Sequence, residues 1–189
     1  MATQRRWWPS PRRLLTVPAD YQTFFQATVG AAGTLIGLLF VAVALRPETI
    51  YGDRASQRGQ ALAGSAFTSL VNAFFVSLVA LLPGNNLGYV AALMAAFGVV
   101  ATLRLRRTLG GNGFNNGFSL VTMGMYLAEL ATAGVLLANP ALHHAIDTLV
   151  AILVVSLAVA LGRAWMLLQG RHLPPEPVPQ EQQAVQPGP

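Results

Sequence analysis

The residue with the clearest potential for chemistry is Glu129, because it lies inside a long run of apolar residues. A carboxyl group at the centre of a bilayer costs about 2.5–3.5 kcal/mol on insertion scales, so an acid at this depth requires an explanation. Glu129 shares one helical face with Thr122 and Tyr126. This face favours a proton or cation site directed into a helix bundle, and it equally fits an acid that only bonds helices together.

A second polar face lies earlier in the chain, where Ser65, Ser69 and Asn72 follow helical spacing. Asn72 lies near the middle of its apolar segment, which makes it the expected partner of Glu129. Hydrogen bonds between membrane helices contribute about 0.6 kcal/mol on average, and helix–helix bonding is the favoured interpretation of this face. A hydrated path between the two faces is the alternative. The candidate intramembrane polar or ion site contains Glu129, Asn72, Tyr126, Thr122 and Ser69.

Other reactive groups point to no enzyme chemistry. The chain has no cysteine, which excludes disulfides and thiolate metal sites. His143 and Asp147 have a spacing that could hold a metal, yet only His144 accompanies them, and a solvated helix start is the favoured interpretation. The glycine-rich segment 110–117 lacks the lysine of a phosphate loop, and no hydrolase motif is present. We therefore expect no catalytic residue, no metal, no cofactor and no enzyme activity.

The composition identifies the elements that must position these residues. Hydrophobic residues make up 53% of the chain and charged residues only 10%, against roughly 25% charged in soluble domains. Mean hydropathy is +0.50. Five apolar segments approach the ~20 residues that a bilayer requires, and in lipid such segments satisfy their backbone as helices. They cover about residues 23–45, 60–82, 87–103, 118–138 and 146–168. The predicted fold is an all-α integral membrane bundle of about five transmembrane helices.

Three regions follow from this pattern: a basic N-terminal tail (1–21), a transmembrane bundle (22–169) and a disordered Pro- and Gln-rich tail (170–189). A turn at 83–86 makes the second and third helices an antiparallel hairpin. The glycine-rich segment 110–117 predicts a flexible polar loop before the fourth helix.

The first helix carries small residues on one side, namely Gly30, Gly33 and Gly37. Gly33 and Gly37 form a close-packing motif of membrane helices. The pattern predicts a helix–helix contact, and it leaves open whether that contact is internal or joins two subunits. The expected partners are the lipid bilayer and either a second copy of the chain or another membrane protein.

Arginine supplies all 12 basic residues and flanks the apolar segments. This placement indicates orientation in a membrane rather than nucleic-acid binding. With five spanning helices, the first loop, the third loop and the C-terminus carry eight arginines and the N-terminal tail four. The positive-inside rule then predicts a cytoplasmic C-terminus. Two alternatives account for the basic tail: a first helix that breaks at residues 30–33 and returns to its own side, or a signal peptide cleaved after residues 42–44.

The first two helices carry residues of a recognisable pattern: Asp20-Tyr21-x-x-Phe24-Phe25, then GLLFVAVAL at 37–45, Asp53-Arg54 with Arg58, and LVALLPG at 78–84. Over residues 20–84 the chain resembles a family of small actinobacterial membrane proteins, sometimes labelled modulators of a membrane protease. It departs from that family in its longer basic tail and in Ile36, where threonine is frequent. The resemblance implies a multi-pass protein of a bacterial plasma membrane and supplies no catalytic residue.

Two functions agree with the sequence. The favoured one is a helix-packing scaffold or accessory subunit of the membrane, which fits the glycine face and the lack of catalytic motifs. The alternative is an oligomeric ion or proton channel or transporter with Glu129 in its path.

Overall fold

The computed structural model describes residues 17–45, 57–84, 86–109, 113–139 and 142–169. These ranges form five helices: α1 (Ala19–Leu45), α2 (Gln57–Ala80), α3 (Leu87–Leu109), α4 (Gly113–Ala138) and α5 (His143–Gln169). The all-α fold class is confirmed. The predicted C-terminal tail at 170–189 and most of the N-terminal tail lie outside the described residues.

Each helix contains an apolar stretch of 20–27 residues, long enough to cross a bilayer. Their outward faces carry large apolar side chains, such as Phe97, which is 55% exposed, and Trp165, which is 61% exposed. In water such surfaces would aggregate, whereas lipid covers them at no cost. The chain is a multi-pass membrane protein.

The helix ends differ from the predicted segments in several places. α1 is one continuous helix of 27 residues, so the alternative of a break at 30–33 is wrong. α4 begins at Gly113, and the loop predicted for 110–117 is therefore wrong over its second half. α3 continues to Leu109 because Arg106 and Arg107 fall in its last turn, where cations interact favourably with the helix dipole. The predicted turn after α2 is present, with Gly84 at a φ of +134°.

Helices α2 to α5 form a closed ring in which each packs against two neighbours, and α1 packs outside the ring on α2. Successive helices are antiparallel, so α2 and α4 run in the same direction and face each other across the ring. A hydrogen bond from the Tyr21 hydroxyl to Asp147 also ties the start of α1 to the start of α5.

The core of this ring differs between its two halves. The half where α2 ends and α5 begins, here called the apolar half, is filled mainly by aliphatic side chains, with Ser77 as a buried hydroxyl among them; the aliphatic residues include Val76, Leu136, Leu149 and Leu153. The other half, here called the polar half, is where α2 and α4 begin and α5 ends. Its buried side chains include Ser69, Asn72, Thr122, Tyr126, Glu129 and Arg163. The candidate site thus occupies one half of the membrane thickness.

Glycine allows α3 to approach α4 closely. A Cβ atom at Gly98 would lie 2.5 Å from the ring of Tyr126, and one at Gly88 would lie 3.0 Å from Leu137. No side chain fits at 2.5 Å, so Gly98 is what permits the Tyr126 ring to lie in the core. Close approach through small residues is a common way in which membrane helices associate.

We expect Gly98→Ala to lower the free energy of unfolding by about 1–3 kcal/mol, the usual cost of overpacking. The buried Tyr126 ring would have to move and would disturb its neighbours. Unfolding in mixed micelles with increasing sodium dodecyl sulfate measures the effect. Gly134→Ala is the matched control, because the structure shows no described atom within 4 Å of a Cβ there. Equal effects of the two substitutions would contradict the assigned contact.

Candidate functional site

The same spacing of polar residues on α2 and α4 brings the site together. Ser69 and Asn72 follow Ser65 by four and seven residues, and Tyr126 and Glu129 follow Thr122 by the same intervals. Because the two helices are parallel, equal spacing produces matched pairs across the ring. The structure places the five residues of the sequence-predicted site together in this arrangement.

Glu129 and Asn72 form the deepest of these pairs. The Asn72 Nδ2 atom donates to Glu129 Oε2 at 2.7 Å. Glu129 has no exposed surface and lies in the middle of the span Ser119–Ala138. Within the described part of the chain, Glu129 Oε1 and Asn72 Oδ1 have no hydrogen-bond partner. One hydrogen bond therefore joins the side chains and leaves one oxygen of each buried without a donor.

Ser69 and Tyr126 form the next pair, about 4.5 Å closer to the start of α2. Their hydroxyl oxygens are 3.3 Å apart, and either group can donate. The Ser69 hydroxyl also lies 3.1 Å from the carbonyl oxygen of Ser65. Tyr126 is 1% exposed and packs on Gly98 of α3. The pair therefore links three helices of the ring.

Arg163 on α5 completes the polar half. Its Nη1 atom donates to the Ser65 carbonyl oxygen at 3.1 Å and to Ser69 Oγ at 3.4 Å, and its Nη2 atom donates to Thr122 Oγ1. A guanidinium group stays charged in proteins, so a positive charge lies inside the bundle. Arg163 thereby joins α5 to both α2 and α4.

Because Arg163 lies inside the fifth apolar segment near its end, the sequence predicts a side chain that extends to the cytoplasmic interface. That prediction is wrong, since the side chain is only 2% exposed and its guanidinium bonds to α2 and α4. A signal for burial was present: Arg163 shares a helical face with Ser156 and Ala160, both fully buried. An arginine that extends to the interface would lie on the lipid face. The pattern of α5 could therefore have placed it in the site.

The histidines and Asp147 lie at the start of α5, at the opposite end from Arg163. His144 Nδ1 is 4.0 Å from Asp147 Oδ2, and Asp147 accepts the hydrogen bond from Tyr21. Among the residues described, no group of three or more His, Cys, Asp or Glu side chains could hold a metal ion. In this structure Asp147 fastens α1 to the ring.

The glycines of α1 do not act together. A Cβ atom at Gly33 would lie 3.6 Å from the Phe74 ring of α2, an ordinary contact. At Gly30 and Gly37 no atom of the described chain comes within 4 Å of a Cβ position. Only Gly33 therefore contributes to the contact between α1 and α2. The sequence also predicts that Gly30 and Gly37 pack against a helix, and the described part of the chain offers neither of them such a contact.

We expect Arg163→Met to lower the free energy of unfolding by about 1–3 kcal/mol, since polar groups of α2 and α4 would lose a buried donor. Methionine keeps the long side chain and removes the guanidinium. Arg106→Met is the control, because Arg106 is exposed and surface substitutions usually change stability by less than about 0.5 kcal/mol. Denaturation in mixed micelles measures both variants. A similar stability of Arg163→Met and wild type would mean that the buried contacts do not stabilise the ring.

Comparison with known proteins yields no match to a protein-family model, a curated protein or a solved structure. The resemblance of residues 20–84 to the actinobacterial family accordingly stays a prediction.

Proposed function

We propose that this membrane protein handles ions, as a channel or transporter subunit in which Glu129 binds the ion on its path. The observation that carries the proposal is the state of Glu129. Its carboxyl group is fully buried at mid-span, and one of its oxygens has no hydrogen-bond donor among the described residues. An ionisable residue inside a membrane commonly marks an ion or proton pathway.

A purely structural role explains this pair less well. Glutamine would accept the hydrogen bond from Asn72 equally well, without an ionisable group in the bilayer. The observed pair leaves Glu129 Oε1 and Asn72 Oδ1 without donors, and each unsatisfied buried group costs about 1–3 kcal/mol. A bound ion that contacts both oxygens would remove this cost. The geometry therefore supports an occupant that the carboxyl group attracts.

The surroundings of the pair support a path from one side. From Glu129 towards the start of α2, the core contains the hydroxyls of Tyr126 and Ser69 and then Arg163. At the same end of the bundle, α3 ends in exposed arginines such as Arg104 and Arg106. The positive-inside rule would place this end in the cytoplasm, so the path would open there, in what we take to be a bacterial plasma membrane.

We expect purified wild-type protein in liposomes to conduct protons or monovalent cations, and Glu129→Gln to lower the flux to that of empty liposomes. Glutamine has nearly the same shape and keeps the hydrogen bond from Asn72, so the fold is retained. Fluorescent ion indicators measure the flux over a range of pH and voltage.

Asp20→Asn is the control for the loss of an acidic group, because Asp20 is exposed at the start of α1. It should leave the flux unchanged. Equal flux in wild type and Glu129→Gln, or no flux in either, would contradict ion handling through Glu129.

A second candidate is the scaffold or accessory subunit that the sequence favours, and the position of α1 supports it. α1 lies outside the closed ring and packs on α2. Its Gly30 and Gly37 face no atom of the described chain within 4 Å of a Cβ position. Small residues let the backbone of another helix approach closely. This face would suit a second copy of the chain or another membrane protein, and an oligomer also suits a channel.

We expect the double substitution Gly30→Leu with Gly37→Leu to reduce self-association in vesicles, measured by energy transfer between labelled copies. Leucine would hold the neighbouring backbone away from α1. Gly162→Leu on α5 is the control, since Gly162 also has no described atom within 4 Å of a Cβ position. An equal reduction in both, or none in either, would remove the support for assembly through α1.

A further inference from the structure

We propose that the ion bound by the Glu129–Asn72 pair is a proton, which enters the site only from the polar half. This inference depends on the proposed function, because it names the ion that this function would handle. Binding forms an O–H bond on the Glu129 carboxylate, and release returns the proton without any redox change.

The hydrogen-bonding capacity of the pair favours a proton. A carboxylate has only acceptor atoms. Asn72 can therefore donate a hydrogen bond to an ionised Glu129, but the carboxylate has no hydrogen to donate to Asn72 Oδ1. A protonated carboxyl group has one O–H donor. Since Asn72 Nδ2 already donates to Oε2, a single proton between Oε1 and Oδ1 would give a partner to both oxygens that lack one. The neutral acid and the amide would then be fully bonded to each other.

A divalent metal cation suits the pair less well. Ca²⁺ takes six to eight oxygen ligands and Mg²⁺ requires an octahedron. The pair offers two oxygens without a donor, Glu129 Oε1 and Asn72 Oδ1, and α3 contributes the small residues Ala91 and Ala95 to the core. Two oxygens are sufficient for a proton, since one carries it and the other accepts its hydrogen bond.

Among the described residues, the other buried ionisable groups, Tyr126 and Arg163, both lie on one side of the pair. Tyr126 is on the same helix and bonds to Ser69 of α2, and Arg163 reaches the same layer from α5. Towards the opposite end, the described core is mainly aliphatic, with Val76, Leu149 and Leu153. Its buried hydroxyls there include those of Ser77 and of Thr132, which donates to the Ala128 carbonyl oxygen. A proton can therefore approach from the polar half through the hydroxyls of Ser69 and Tyr126, and beyond Glu129 it meets a mainly aliphatic core without a further ionisable group among the buried residues described.

Infrared difference spectroscopy tests the proton directly. The full-length protein in liposomes is titrated with acid and base, and the carbonyl band of a protonated carboxylic acid is followed in H₂O and D₂O. We expect one such band that appears reversibly with pH, shifts in D₂O, disappears in Glu129→Gln and changes frequency in Asn72→Leu. Asp20→Asn should retain it. No protonated carboxyl band, or a band that survives in Glu129→Gln, would overturn the proposal.

The flux assay separates this inference from the proposed function. If sodium or potassium flux requires Glu129 and no protonated carboxyl band is observed, the bound ion is not a proton. The proposed ion handling would then stand, and this inference would be overturned. The band without flux of any ion would support the proton site and contradict transport through it.

The side from which the proton enters can be tested with introduced cysteines. Because the chain contains no cysteine of its own, a single introduced thiol is the only group that a thiol reagent can label. Two single variants, Ser69→Cys and Ser77→Cys, each place one thiol at a fully buried position of α2. Ser69 lies in the polar half and Ser77 in the apolar half. A small membrane-impermeant thiol reagent is applied to either side of vesicles of known orientation. We expect Ser69→Cys to react only from the side where α2 begins, and Ser77→Cys from neither. Reaction of Ser77→Cys, or none at Ser69→Cys, would overturn one-sided entry.

Discussion

The bundle depends on how buried polar groups are satisfied where no water is available. In lipid, a polar side chain must find its partner within the protein. Here α2 and α4 place polar residues at equal intervals on parallel helices, so that Ser69 meets Tyr126 and Asn72 meets Glu129. These pairs set the register of the two helices across the ring, because a shift by one residue would separate them.

The other helices adjust to that register. α5 brings Arg163 to Ser65, Ser69 and Thr122, so that one guanidinium joins three helices. α3 approaches through Gly98, where any larger residue would meet the Tyr126 ring. α1 takes no part in the polar contacts at the ring centre: it packs on the outer face of α2, and its Tyr21 hydroxyl bonds to Asp147 at the start of α5. The ring is therefore one structural unit, and α1 is attached to its outside with most of its residues exposed.

The distribution of polarity along the membrane normal relates this architecture to function. Most of the buried polar side chains lie in the half where α3 ends in arginines, and the core of the opposite half is mainly aliphatic. Glu129 lies where the two halves meet, with one oxygen that lacks a donor in the described structure. A site with polar access on one side and an apolar barrier on the other is what one state of an ion-handling protein requires.

Length, apolarity and helical spacing determined much of this protein directly. They predicted the five helices, the hairpin turn and the polar faces of α2 and α4, because these features depend on local periodicity and on the cost of polar groups in lipid. The contacts of Arg163, Gly98 and the α1 glycines required the tertiary structure. Whether an arginine near a helix end turns outward or inward, and which glycine meets a neighbour, depends on how helices are rotated against one another. That rotation is set by packing between segments far apart in the chain, and no single segment encodes it.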